Sequence, residues 1–163
     1  MALTKQYILA AEMGIKEAME TGGASGYPLV DIKATIYDGS YHEVDSSDIA
    51  FKMAGSKALR NGVTRAKPVL LEPVMKLEVV APDEFLGDIM GDLNSRRGNI
   101  ESIETREGMA VIHALTPLSE TFGYTTSLRS LTQGRAAHSL EFYQYEELPA
   151  ELADRITGKA AVG

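Results

Sequence analysis

The 163 residues include no cysteine and no tryptophan. The lack of cysteine excludes disulfides, zinc–thiolate centres, iron–sulfur clusters and a thiolate nucleophile. Any redox chemistry would need a borrowed cofactor. No apolar run approaches the roughly 20 residues of a membrane helix, and no basic stretch leading into an apolar core opens the chain. The expectation is a soluble, cytoplasmic protein. Nucleotide-binding loops are missing as well. GxxxxGK[ST] wraps phosphates in backbone amides and adds a lysine and a hydroxyl. The nearest approach here, Gly158-Lys159, is followed by Ala160 and lacks the upstream glycine. Neither GxGxxG nor HExxH occurs, and nothing resembles a nucleophile elbow. These absences argue for a binding role and against nucleotide-loop or nucleophilic catalysis.

A chain of this length with 44% hydrophobic residues can bury a core as one domain or two small ones. The net charge of −7 is unevenly placed. Residues 1–71 carry eight Lys/Arg and eight Asp/Glu, whereas residues 72–163 carry eight against fifteen. Acidic surface weakens unselective attraction to phosphate, so an RNA partner is admitted only through local patches.

Thr4 is placed to cap a helix in which Ile8, Ala11, Ile15 and Met19 recur at helical spacing, with Gly22-Gly23 ending it. After Gly26-Tyr27-Pro28, the alternation of Val30, Ile32, Ala34 and Ile36 predicts a half-buried strand over Leu29–Tyr37. Asp38-Gly39 breaks it. A second helix is predicted from Ser46 to about Val63, with Phe51, Ala54, Gly55, Ala58 and Gly62 on a narrow packing face. Lys52, Lys57 and Arg60 fall away from that face. Ile49 and Met53 also lie outside it, and the sequence supplies no partner for them.

Lys67-Pro68 and Glu72-Pro73 bracket Val69-Leu70-Leu71, a short, partly buried connector that marks a domain boundary near Leu71. Beyond it come a strand over Met75–Ala81 and a helix opened by Pro82-Asp83-Glu84, with Leu86, Ile89, Met90 and Leu93 on one stripe. Arg96-Arg97-Gly98 closes that helix, as cations and a glycine do at a helix C-terminus. Strands follow at about Asn99–Thr105 and Met109–Leu115. Ala110, Ile112 and Ala114 alternate cleanly, whereas Ile100 and Ile103 do not, which suggests a bulge. A helix within Ser119–Gln133 and a strand at about His138–Tyr145 complete the order βαββαβ, a ferredoxin-like plait. Past Pro149 a short helix and a frayed end at Gly158–Gly163 are expected.

Two polar constellations stand out. The loop Tyr37-Asp38-Gly39-Ser40-Tyr41-His42-Glu43-Val44-Asp45-Ser46-Ser47 reads blandly as a turn, with Asp45 or Ser46 capping the next helix. Read functionally, Tyr41 and His42 beside hydroxyls can stack on unpaired bases and bond sugars or base edges. Metal binding by His42, Glu43, Asp45 and Asp48 is a third reading. The other constellation is Arg129-Ser130-Leu131-Thr132-Gln133-Gly134-Arg135, where guanidiniums, hydroxyls and an amide crowd a helix end suited to phosphate and 2′-hydroxyl contacts. A solvated helix end explains it equally well. His113 and His138 fall in strands with no ligand partners near in sequence and are read as structural.

Together, the tip loop, Gly91-Asp92-Leu93-Asn94-Ser95-Arg96-Arg97-Gly98, and Phe122-Gly123-Tyr124 through Leu128-Arg129-Ser130-Leu131-Thr132-Gln133-Gly134-Arg135 resemble the C-terminal part of bacterial elongation factor G. The similarity runs from about Tyr7 to Pro149. It implies an α+β chain: the latter part of domain IV at 1–71, domain V at 72–150, and a C-terminal tail at 151–163. Domain IV would be a partial unit like the second domain of ribosomal protein S5, and domain V a ferredoxin-like plait. The family promotes GTP-dependent translocation of tRNA and mRNA on the ribosome. The resemblance implies that the GTPase domain, which binds GTP and magnesium, lies before Met1, so that this chain binds no cofactor and turns nothing over itself.

Asp38, Gly39, Ser40, Tyr41, His42, Ser46 and Ser47 would form the tip that enters the decoding region. Arg129, Ser130 and Gln133 would meet large-subunit rRNA near the sarcin-ricin loop and stalk base. Ala136-Ala137-His138 departs from the family pattern after Gly134-Arg135. A strand at Leu29–Tyr37 separated from its neighbours would leave backbone groups unpaired, so edge-strand self-association is expected. The alternatives are a ribosomal-protection protein or another elongation factor G paralogue within the family. Outside it, they are a ferredoxin-like metabolite sensor or an enzyme using His42.

Overall fold

The structure is a computed structural model that describes residues 3–23, 26–42 and 46–158. Ala24-Ser25, Glu43-Val44-Asp45 of the tip loop and the tail from Lys159, including most of the expected frayed end, lie outside the described residues. Contacts divide the chain into two compact units, one formed by residues 1–70 and 149–163 and the other by residues 71–148.

The first unit is built on helices α1 (Lys5–Thr21) and α2 (Asp48–Arg65). Thr4 occupies the cap position of α1 but caps through its carbonyl, which accepts from the amides of Tyr7 and Ile8. The buried face of α1 is Ala10, Ala11, Gly14 and Ala18; of the predicted stripe Ala11 is buried, Ile15 and Met19 are half-buried and Ile8 is exposed. On α2 only Gly55 of the predicted face is fully buried, and Ala54, Ala58 and Gly62 are exposed. Close approach explains both corrections. A Cβ on Gly14 would collide with the Lys52 carbonyl, and one on Gly55 with the Ala11 carbonyl. The helices therefore meet backbone to backbone, and the smallest side chains face inward, whatever the hydropathy of their neighbours.

The predicted strand at Leu29–Tyr37 is absent. The segment is neither helix nor paired strand, Asp31 has φ 58°, and Val30, Ile36 and Tyr37 are exposed. Period-two alternation encodes a face, but a strand also needs a neighbour to accept its backbone bonds, and no described segment supplies one.

The second unit is a four-stranded antiparallel sheet of β1 (Leu71–Pro82), β2 (Asn99–Arg106), β3 (Met109–Pro117) and β4 (Ala137–Glu147), in the order β2-β3-β1-β4. Helix α3 (Leu86–Ser95) follows β1 and α4 (Tyr124–Leu131) follows β3, each preceded by a 3₁₀ turn, which gives the expected βαββαβ plait. α4 is shorter than Ser119–Gln133 because Thr121, Gly123 and the following threonines are poor helix formers; Gly123 sits at φ 73° as its cap. Register slips between Ile100 and Ser102, where the broken alternation suggests a bulge.

β1 starts at Leu71, the last residue of the expected connector, and takes in the flanking Glu72-Pro73 ahead of the predicted start at Met75. Pro73 opposes Tyr145 of β4, while pairing with β3 begins only at Val74, so the proline sits where β1 has a neighbour on one side alone. Leu77, Val79, Ala81, Ile89, Leu93, Ile112, Ala114, Tyr124 and Leu128 form the core between sheet and helices. Each large apolar side chain buried there contributes about 1.5–3 kcal/mol. Helix α5 (Ala150–Thr157) follows and groups with the first unit.

Two helical glycines should respond with opposite signs. Gly55→Ala is expected to lower stability by about 1–3 kcal/mol, because its methyl enters the helix crossing. Gly62→Ala, with no atom within 4 Å of the new methyl, is expected to raise it by about 0.5–1 kcal/mol through helix propensity. Urea midpoints followed by circular dichroism decide both; a gain from Gly55→Ala would refute the close crossing.

Candidate functional site

The tip loop is held at its base by a reciprocal pair of bonds. The His42 amide donates to Ser46 Oγ at 2.8 Å, and the Ser46 amide donates to the His42 carbonyl at 3.0 Å. Ser47 Oγ then accepts from the Ala50 amide at 3.1 Å and caps α2, the task expected of Asp45 or Ser46. Asp38 Oδ1 accepts from the Gly39 amide at 2.8 Å. A Cβ on Gly39 would lie 2.5 Å from the Leu3 side chain, so a larger residue there would require that leucine to shift.

Tyr41 is half-buried against Tyr7, with centroids 5.7 Å apart, and Tyr7 stacks on Phe51 at 4.4 Å and 13°. The contact with Tyr7 fastens the loop to α1 and, through Phe51, to α2. Tyr37, Asp38, Ser40, His42 and Ser47 are exposed, and Gly39 and Ser46 are half-buried. Sequence reading missed Tyr7 and Phe51 as supports; the available signal was an aromatic residue in the first turns of both helices. Gln6 Nε2 donates to Asp48 Oδ1 at 2.8 Å, which further joins the two helix starts. Among the described residues no group of three or more His, Asp or Glu is arranged to hold a metal; Glu43 and Asp45 lie outside them.

The second constellation is presented by the C-terminal end of α4. Thr132 is fully buried, its amide and hydroxyl both donating to the Leu128 carbonyl. Gln133 (φ 54°) and Gly134 (φ 75°) then turn the chain left-handed, and the Gly134 amide donates to the Arg129 carbonyl at 2.9 Å. This ending leaves Arg129, Ser130 and Gln133 exposed together on a fixed turn. No acid among the described residues pairs with the Arg129 guanidinium. Arg135, by contrast, is engaged with Glu84 at 2.8 Å and lies over the Phe85 ring.

Arg96 and Arg97 do more than complement a helix end. Arg96 bonds Asp92 at 2.9 Å, the Glu120 carbonyl at 2.7 Å and Ser127 Oγ at 2.8 Å, and lies over the Tyr124 ring. Arg97, at φ 56°, makes a two-pronged bond to Glu72 at 2.8 and 2.9 Å and reaches Glu120 at 3.3 Å. Bonding to Glu72 raises the Arg97 pKa above its ordinary value, against the opposing effect of burial. The pair fixes the start of α4 and hence the direction in which its far end points. His138 Nε2 lies 3.4 Å from Thr125 Oγ1 and meets Tyr124 edge to face, and His113 Nδ1 lies 3.6 Å from Glu78.

Tyr124 is buried with its hydroxyl unpartnered among the described residues, and burial, assisted by Asp92 and opposed by Arg96, raises its pKa to about 12. The unfolded phenol ionises first, near 10, so the associated stability is intact below about pH 10 and is lost as pH rises toward 12. Tyr124→Phe is expected to hold or raise the urea midpoint at pH 7, since it removes a buried hydroxyl without a bond, and to flatten the fall between pH 10 and 12. A loss exceeding about 1 kcal/mol at pH 7 would mean that the hydroxyl has a partner.

Comparison with known proteins completes the site. Residues 1–67 match the family of elongation factor G domain IV, and residues 69–156 match the elongation factor G C-terminus. A crystal structure of a protein from Thermus thermophilus superposes with a TM-score of 0.86 at 45% sequence identity. The match covers 99% of this chain and 24% of that one, so the chain spans about a quarter of the relative's length. With two adjoining family matches in the order its motifs require, the chain belongs to the elongation factor G family and carries that family's domain IV and C-terminal sequences.

Proposed function

We propose that the chain supplies two ribosome-contacting surfaces of a translation elongation factor that drives GTP-dependent movement of tRNA and mRNA. In this reading the loop carrying Asp38, Gly39, Ser40, Tyr41, His42, Ser46 and Ser47 reaches the decoding region. Arg129, Ser130 and Gln133 meet large-subunit rRNA near the sarcin-ricin loop and stalk base. The observation that carries it is Arg129, an exposed guanidinium without an acidic partner among the described residues, held beside a hydroxyl and an amide on a turn that packing has fixed. GTP and magnesium belong to a further domain of the parent protein, and this chain acts by binding in the cytoplasm without turnover.

The reading extends to self-association. Val30 and Ile36 expose apolar surface on a segment whose backbone lacks a strand partner among the described residues. Light scattering after size exclusion is expected to give a mass above the monomer as concentration rises. A strict monomer throughout would remove this element.

Co-sedimentation with vacant ribosomes in low salt and without GTP, followed by chemical footprinting of rRNA, tests the main proposal. Arg129→Ala is expected to weaken binding about fivefold to a hundredfold, as loss of a charge-assisted phosphate contact does. His42→Ala should erase protection in the decoding region while leaving the large-subunit footprint. Equal affinity for Arg129→Ala and the parent chain would remove that arginine from the interface. Absence of both footprints would overturn ribosome binding by this chain.

A further inference from the structure

Helix α2 is the most basic element of an acidic protein, with Lys52, Lys57, Arg60 and Arg65 against the single acid Asp48. Asp48 is taken by Gln6 and Lys52 by Glu17, the latter at 2.8 Å. Lys57 and Arg60 are exposed, and no acid among the described residues pairs with either side chain. At 100° per residue they share the outward face with Ile49 and Met53, which are 72% and 53% exposed. These are the two apolar side chains for which the sequence offers no partner.

The face is not flat. A groove of about 320 Å³ runs between α1 and α2, lined by Gly14, Thr21, Ile49, Met53, Ser56 and Arg60 among others. Its volume is at the lower end for small-ligand sites. Glu17, the only acid in the lining, is neutralised by Lys52, so the uncompensated charge at the rim is the Arg60 guanidinium.

We propose that this groove receives an unpaired RNA base, with the adjoining phosphates held by Arg60 and Lys57. The inference rests on the reading that RNA is the partner and adds a site separate from both the tip loop and the end of α4. A splayed-out nucleotide presents an apolar face, an edge that hydrogen-bonds and a flanking phosphate. The groove offers Ile49 and Met53 for the first, the Ser56 hydroxyl for the second and Arg60 for the third, with the exposed Lys57 beside it on the outer face of α2. An intact duplex presents the phosphate alone and leaves Ile49 and Met53 in water. Arg60 lies 13 residues beyond the Ser47 cap, about 20 Å along the helix at 1.5 Å per residue, so the two sites would engage different nucleotides.

The experiment measures binding of the full chain to a fluorescent RNA hairpin with a one-nucleotide bulge and to the same hairpin fully paired, at several salt concentrations. The bulged hairpin is expected to bind about tenfold tighter. Met53→Ala should remove most of that preference, while Met53→Leu should keep it. Lys57→Ala with Arg60→Ala should weaken both hairpins and reduce the salt slope by about two. Unchanged circular dichroism midpoints certify that these surface variants remain folded. Equal binding of the two hairpins, or displacement by polyglutamate as effectively as by RNA, overturns the groove as a base site. Ribosome co-sedimentation is run in parallel. Ribosome binding without bulge preference defeats only the groove, whereas bulge preference without ribosome binding defeats only the assigned function.

Discussion

The pair Arg96–Arg97 is the constraint on which the placement of the second unit's exposed α4 turn depends. Two guanidiniums at the end of α3 collect a carboxylate from β1, a carboxylate and a carbonyl from the turn before α4, and a hydroxyl from α4 itself. Most of these bonds are charge-assisted and partly shielded from water, the setting in which such bonds count most. Arg97 accepts a left-handed backbone to make them, and so many partners hold it there. Because α4 has only eight residues, its start and its exposed C-terminal turn are rigidly linked. A contact made at Glu120 and Ser127 thereby sets where Arg129, Ser130 and Gln133 face.

The first unit solves a similar problem with different chemistry. Its helices cross at glycines, backbone against backbone, and the tip loop is fastened to them by the stacked rings of Tyr41, Tyr7 and Phe51. The His42–Ser46 bonds close the loop at its neck. The crossing at glycines also leaves the larger side chains of both helices on the outside, which is why Ile49 and Met53 remain in water beside a row of cations.

Charge is distributed to the same end. An acidic protein discourages indiscriminate adhesion to nucleic acid, so each cation that lacks an internal partner carries information about where contact occurs. Arg96, Arg97 and Arg135 are engaged within the fold, whereas Arg129, Lys57 and Arg60 face outward without acidic partners among the described residues. Counting arginines along the chain does not separate these groups. Their partners do.

Local pattern was sufficient for the plait. Ala110, Ile112 and Ala114 alternate, Ile89 and Leu93 recur at helical spacing, and such periodicities encode faces without reference to distant residues. The two polar constellations were legible for the same reason, as clusters of residue types with a shared chemistry. Tertiary structure decided what depends on a partner far away in sequence. Alternation over Leu29–Tyr37 could not form a strand without a neighbouring strand, and hydropathy picked Ile8 and Met19 on α1 where a close crossing required Ala10 and Gly14. The contact of Tyr41 with Tyr7 joins residues 34 positions apart and has no local signature in the sequence. Sequence by itself determined the periodic faces of the plait and where polar side chains cluster along the chain. Only the fold determined which of them are already occupied, because occupancy is set by distances between residues that the chain brings together from far apart.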